Sequence, residues 1–83
     1  MIPEELKKRR AKLGLSQAQL ALALRRPVDT IQNWEQGRRA IESPDVLRYL
    51  LRNLDDDRVA FGADREGFLA YLPRFLDSEG PRR

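Results

Sequence analysis

The sequence predicts an all-α fold, a compact bundle of four to five helices. Three observations carry that reading. Apolar residues recur at helical spacing along most of the chain, and no stretch alternates with period two. Helix-start residues (Pro3, Ser16, Ser43, Asp64) stand ahead of the apolar stripes. Helix-stopping glycines (Gly14, Gly37, Gly62) fall between them.

Each element can be justified in order. Pro3 suits a first helical position, and Gly14 suits the position just past a helix end. Between them Leu6, Arg10 and Leu13 form one stripe, while Lys7, Lys8, Arg9 and Lys12 flank it and face outward. Glu4 and Glu5 complement the positive end of the helix dipole. Ser16 caps a second helix over residues 17–24, and Gln19 completes a capping box. Leu20, Ala21 and Leu24 share its inner face. Arg25, Arg26 and Pro27 interrupt it, because proline cannot sit in a helix interior. A third helix follows over residues 28–36, anchored by Ile31 and Trp34 and stopped by Gly37. Residues 38–42 read as a loop.

Ser43 then caps a fourth helix with Pro44 at its first position. Val46, Leu47, Leu50, Leu51 and Leu54 form its expected buried face. Asp55, Asp56 and Asp57 are expected to end it, since three carboxylates at a helix C-terminus oppose the dipole. Residues 55–63 then read as a linker, with Gly62 as breaker. Asp64 caps a fifth helix of about residues 65–75, weakened by Gly67 and Pro73. Phe68, Leu72 and either Phe75 or Leu76 fall on one face of it, with Tyr71 beside them. Residues 78–83 read as a frayed end. The chain thus divides into a helical bundle, residues 1–54, and a linker with a C-terminal helical extension, residues 55–83.

The chain has 83 residues, enough for one small domain. A chain of this size buries only about 60–65% of its unfolded surface, so a partner or second copy would help its stability. It contains no cysteine and no histidine, which excludes disulfides, thiolate nucleophiles, imidazole bases and Cys/His zinc sites. The Asp55–Asp57 run lacks the further ligands and turn glycine of a calcium or magnesium site and reads as a solvated helix stop. No paired catalytic carboxylates stand out. The expectation is a protein that is not an enzyme and needs no metal or cofactor. Apolar runs are short and no secretory signal opens the chain, so a soluble cytoplasmic protein is expected, with no membrane partner. Residues 1–54 carry 11 basic and 6 acidic side chains, whereas residues 55–83 carry 5 basic and 7 acidic ones. A basic first part fits a polyanion partner, and the acidic tail fits a different role.

The most informative stretch is residues 15–39, LSQAQLALALRRPVDTIQNWEQGRR. Two short helices meet across a three-residue break, and the first is too short to fold alone. Ala21 is small where crossing helices need close approach, and Ile31 and Trp34 can pack back on Leu20 and Leu24. This is the arrangement of a helix-turn-helix. The words LGLSQAQLA (residues 13–21) and TIQNWEQGRR (residues 30–39) resemble the phage repressor/Cro type, the XRE family. The resemblance covers about residues 3–54 and implies the lambda-repressor-like bundle.

What the resemblance implies is double-stranded DNA as partner, read by the third helix in the major groove. The positions facing bases would be Val28, Asp29, Gln32 and Asn33. Gln17, at the start of the second helix, would bond a phosphate, as would Arg38 and Arg39, with Arg26 a further contact. Arg10 and Glu35 would form a partly buried ion pair that orients the third helix. Two positions depart from the family. Arg25 stands where a turn glycine is usual, which predicts positive φ at a cost of about 1–2 kcal/mol. Pro27 stands where Ser or Thr usually caps the third helix, and a lost cap costs about 1 kcal/mol.

The tail leaves three readings open. Phe61, Phe68, Tyr71, Leu72, Phe75 and Leu76 can fold back onto the fourth helix, form a two-fold dimer interface, or bind another protein such as a toxin. The dimer interface is the favoured of these. The expected function is a sequence-specific transcriptional regulator, a repressor acting as a homodimer. The alternatives are an antitoxin that binds its toxin through residues 61–76, and an interaction module that keeps the fold without binding DNA.

Overall fold

The computed structural model describes residues 1–77, so the frayed end expected at residues 78–83 lies outside the described residues. Among them every regular element is helical. The order is α1 (Pro3–Leu13), α2 (Gln17–Leu24), α3 (Val28–Glu35), α4 (Pro44–Phe61) and α5 (Arg65–Tyr71), followed by a 3₁₀ segment, Leu72–Asp77. The fold class expected from the sequence is the one observed.

α1 ends as its glycine predicts. Gly14 takes the left-handed conformation at φ 71°, and the N–H groups of Gly14 and Leu15 bond the carbonyls of Ala11 and Arg10. α2 opens with the expected capping box. The Gln19 N–H donates to Ser16 Oγ at 3.1 Å, and the Ser16 N–H donates to Gln19 Oε1 at 2.8 Å. It ends at Arg25, whose φ of 53° is the positive value expected of a residue replacing glycine. The Arg26 N–H closes the turn on the Ala21 carbonyl at 3.0 Å. α3 starts at Pro27 with no side-chain cap, and the Pro27 carbonyl accepts from the Thr30 N–H.

α4 differs from expectation. It does not stop at the three aspartates but runs on to Phe61, so residues 55–61 are helix rather than linker. The dipole argument fails because these carboxylates sit mid-helix and two of them have partners. Asp55 lies 3.6 Å from Arg9, and Asp57 accepts from the Tyr71 hydroxyl at 2.6 Å. Arg58 instead stands near the true end and donates to the Gly62 carbonyl at 2.6 Å. The N-terminal cap also differs: Ser43 adopts φ 48° and its side chain caps nothing. The buried stripe is Leu47, Leu51 and Leu54, spaced i, i+4, i+7, with Leu50 half-buried. Val46 lies a residue off that stripe, about 100° round the helix, and is exposed rather than buried.

The C-terminal segment folds back, but chiefly onto α2 rather than α4. α5 lies against α4, and the 3₁₀ segment packs along α2. The change from α to 3₁₀ geometry comes at Pro73, which cannot donate an α-helical hydrogen bond. Phe68, Leu72 and Phe75 join Leu6, Leu13, Leu20, Ile31, Leu51 and Leu54 in one core. α2 is therefore packed against both α3 and the 3₁₀ segment.

Candidate nucleic-acid interface

α3 is amphipathic. Ile31, Trp34 and Glu35 point inward, while Asp29, Gln32 and Asn33 fall on the opposite side by helical rotation. Val28, at the first turn, lies at the border and is partly exposed. Asp29 is exposed, and Gln32 and Asn33 are half-exposed. Gln36, one turn beyond Gln32 and exposed, shares this outward face. Its position at the helix end hid it from a periodicity reading.

The face is held by a buried ionic cluster. Arg10 Nε donates to Glu35 Oε2 at 2.6 Å and Arg10 Nη2 to Oε1 at 2.9 Å, a two-pronged contact. Arg10 Nη1 donates to the Leu15 carbonyl at 2.9 Å, which ties in the α1–α2 corner. The Glu35 side chain is 1% exposed and that of Arg10 20%. Burial pushes the Glu35 carboxyl up, but hydrogen bonds from Arg10 and Gln17 together with the Arg10 charge outweigh it, and its pKa is held below the usual range. The guanidinium of Arg10 is in turn raised by its bond to Glu35.

Gln17 belongs to this cluster. Its Nε2 donates to Glu35 Oε1 at 3.0 Å, so its side chain is turned inward rather than standing free at the start of α2. An amide carries two N–H donors, so one remains for an outside acceptor. Sequence spacing alone does not reveal this second partner of Glu35, since Gln17 and Glu35 are 18 residues apart.

Four arginines surround α3. Arg38 and Arg39 are exposed just past its end, where Gly37 at φ 74° turns the chain and the Arg38 N–H bonds the Asn33 carbonyl. Arg26 lies 6.0 Å from the Trp34 ring centre, a cation–π distance. Arg25 is drawn away to the carboxylate of Asp77 and the Pro73 carbonyl. The Trp34 indole is buried, and its Nε1 has no hydrogen-bond partner among the described residues.

The tail residues expected at an interface are mostly internal. Phe68, Leu72 and Phe75 are fully buried within the chain, and Phe61, Tyr71 and Leu76 are half-buried. The Phe61 ring lies 5.9 Å from that of Phe68 and 5.3 Å from that of Tyr71. The helix before these rings continues to Phe61, and the rings lie back on the bundle.

Two helices joined by a tight three-residue turn, with a polar outward face on the second, define a helix-turn-helix protein. The chain belongs to the family described as a helix-turn-helix domain, which matches residues 4–61, more than half of its length. This agrees with the phage repressor/Cro resemblance, and the match ends where α4 ends. No curated protein and no solved structure matches the chain. No helix among the described residues is long and apolar enough to cross a membrane.

Proposed function

We propose that the protein is a sequence-specific transcriptional regulator, a repressor that binds operator DNA as a homodimer with α3 in the major groove. The observation that carries this reading is the face of α3. Gln32 and Asn33 stand outward on a helix whose back is locked by Arg10, Gln17 and Glu35. Side-chain amides of this kind can bond adenine N6 and N7 together, and Val28 can touch a thymine methyl. Asp29 can accept from cytosine N4. Arg26, Arg38 and Arg39 supply phosphate contacts that set register without reading sequence. The spare N–H of Gln17 and the first backbone N–H groups of α2 offer another. Two α3 helices about 34 Å apart would enter successive major grooves. Occupying promoter DNA is then enough to repress.

The antitoxin reading has less support, because binding a toxin through residues 61–76 would first require pulling Phe68, Leu72 and Phe75 out of the core. The test is selection from random duplex DNA, then anisotropy titration of the enriched sequence across a salt series. An enriched palindrome with a steep salt slope supports the reading. Weak binding without enrichment and without salt dependence refutes it.

A further inference from the structure

We propose that the outward face of α4, centred on Tyr49, is where a second copy of this chain docks, the two fourth helices pairing antiparallel. The proposal rests on the homodimer reading above and locates its surface.

Phe68, Leu72 and Phe75 are taken up by the core and Phe61 and Tyr71 pack against it, which leaves the tail little apolar surface to offer a second copy. The large apolar side chains exposed among the described residues are Ile2, Leu22, Val28, Val46, Tyr49 and Val59. Of these only Val46 and Tyr49 stand one helical turn apart on one face, each 57% exposed. Leu50, half-buried, lies beside Tyr49. It also lines a groove of about 230 Å³ with Val46, Leu24, Trp34 and Leu76. An exposed tyrosine and valine, with a mainly apolar groove beside the valine, is the composition of an interface core.

Charge selects a second copy and its orientation. Asp45 and Arg52 lie about one turn to either side of Tyr49. A two-fold interface must be self-complementary. With α4 antiparallel to its partner about Tyr49, Asp45 of each copy meets Arg52 of the other, twice over. A parallel pairing would set Asp45 against Asp45 and repel. The Asp45 side chain is 99% exposed, and its contact to Arg48 is a loose 3.6 Å. It therefore needs little rearrangement to pair. Along the chain, the face begins just after the loop that bears Arg38 and Arg39.

The experiment is sedimentation equilibrium on the full chain and on Tyr49→Lys, Asp45→Arg, Arg52→Asp and the Asp45→Arg/Arg52→Asp double variant, with thermal melts to confirm folding. The wild type should dimerise. Tyr49→Lys should weaken association by about tenfold or more at unchanged helicity. Each charge reversal should weaken it less, and the double reversal should restore it. A wild type that stays monomeric up to about 1 mM overturns the proposal and leaves the face to a different protein. So does a Tyr49→Lys variant that dimerises as well as the wild type. Anisotropy on the selected DNA separates the two claims. Specific binding of single half-sites by a monomeric chain would sink the α4 interface and spare the DNA reading. A Tyr49-dependent dimer that binds no DNA would do the reverse.

Discussion

Arg10→Ala tests the ionic cluster behind α3. The substitution leaves the Glu35 carboxylate, 1% exposed, with one remaining side-chain donor, Gln17. Breaking a fully buried pair costs about 3–5 kcal/mol. Arg10 keeps 20% of its side chain in solvent, so water screens part of the loss, and about 2–4 kcal/mol is the expected destabilisation at pH 7. The cause has a pH signature. In the wild type the folded pKa of Glu35 lies below the ordinary glutamate value of the unfolded chain. Its contribution is complete above the unfolded value and is lost as pH falls through the folded one. In Arg10→Ala the remaining influence is mainly burial, which raises the folded pKa, so the penalty is full at neutral pH and eases as acid protonates the carboxyl. Urea unfolding followed by circular dichroism should therefore show the gap between the two proteins narrowing from pH 7 to about pH 4. The double change Arg10→Met/Glu35→Leu should recover most of the stability, since it strands no charge. A gap below about 0.5 kcal/mol, or one constant across that pH range, would refute a buried pair as the source.

Other outcomes follow from the same geometry. Asn33→Ala should cost about 1–3 kcal/mol on the selected DNA and relax one base position, whereas equal loss on every sequence would exclude direct readout. Arg38→Ala should weaken binding to all sequences alike and lower the salt slope by about one unit, checked by anisotropy at four or more salt concentrations. Trp34→Ala should destabilise by about 3–5 kcal/mol in urea melts. Trp34→Phe should cost about 1 kcal/mol or less, because it removes an indole N–H that has no acceptor; equal loss in both would contradict that placement. A chain cut after Phe61 should lose its cooperative thermal unfolding, since it removes Phe68, Leu72 and Phe75 from the core; an intact transition would show that residues 1–61 fold alone.

Local signals read well from the sequence. Gly14, the Ser16–Gln19 box and the break at residues 25–27 each act within a few residues, and each fell where expected. The positive φ of Arg25 was legible for the same reason: a tight turn there needs the left-handed region whatever the side chain. Pairing was legible only where a charge lay on an apolar stripe, as Arg10 does, and the resemblance then supplied Glu35 as its partner. The misreadings lie at the two ends assigned to α4. Asp55, Asp56 and Asp57 look like a helix stop until the partners from α1 and α5 are in place, and those partners are remote in sequence. Ser43 has the composition of a cap but not its geometry, because the loop before it arrives in a left-handed conformation. The inward bond of Gln17 was not legible because its acceptor belongs to another helix.

The course of α4 has a consequence for how the recognition unit is built. α2 contributes the small Ala21 and Ala23 to the core, so it has little apolar bulk of its own beyond Leu20 and Leu24. The 3₁₀ segment supplies that bulk from outside, with Leu72 and Phe75 packed along α2, while α3 also packs against it. Those two residues lie beyond residue 61, where the family match ends. The turn between α2 and α3 feels the same segment directly, through Arg25 and Asp77. That ion pair is exposed and worth at most about 1 kcal/mol, so it steers the turn more than it stabilises the fold. The turn that precedes Val28 and Asp29 thus touches the 3₁₀ segment as well as the helices it joins. Asp77→Ala should leave the melting temperature nearly unchanged yet alter binding to the selected DNA, and an unaltered affinity would confine the tail to a packing role.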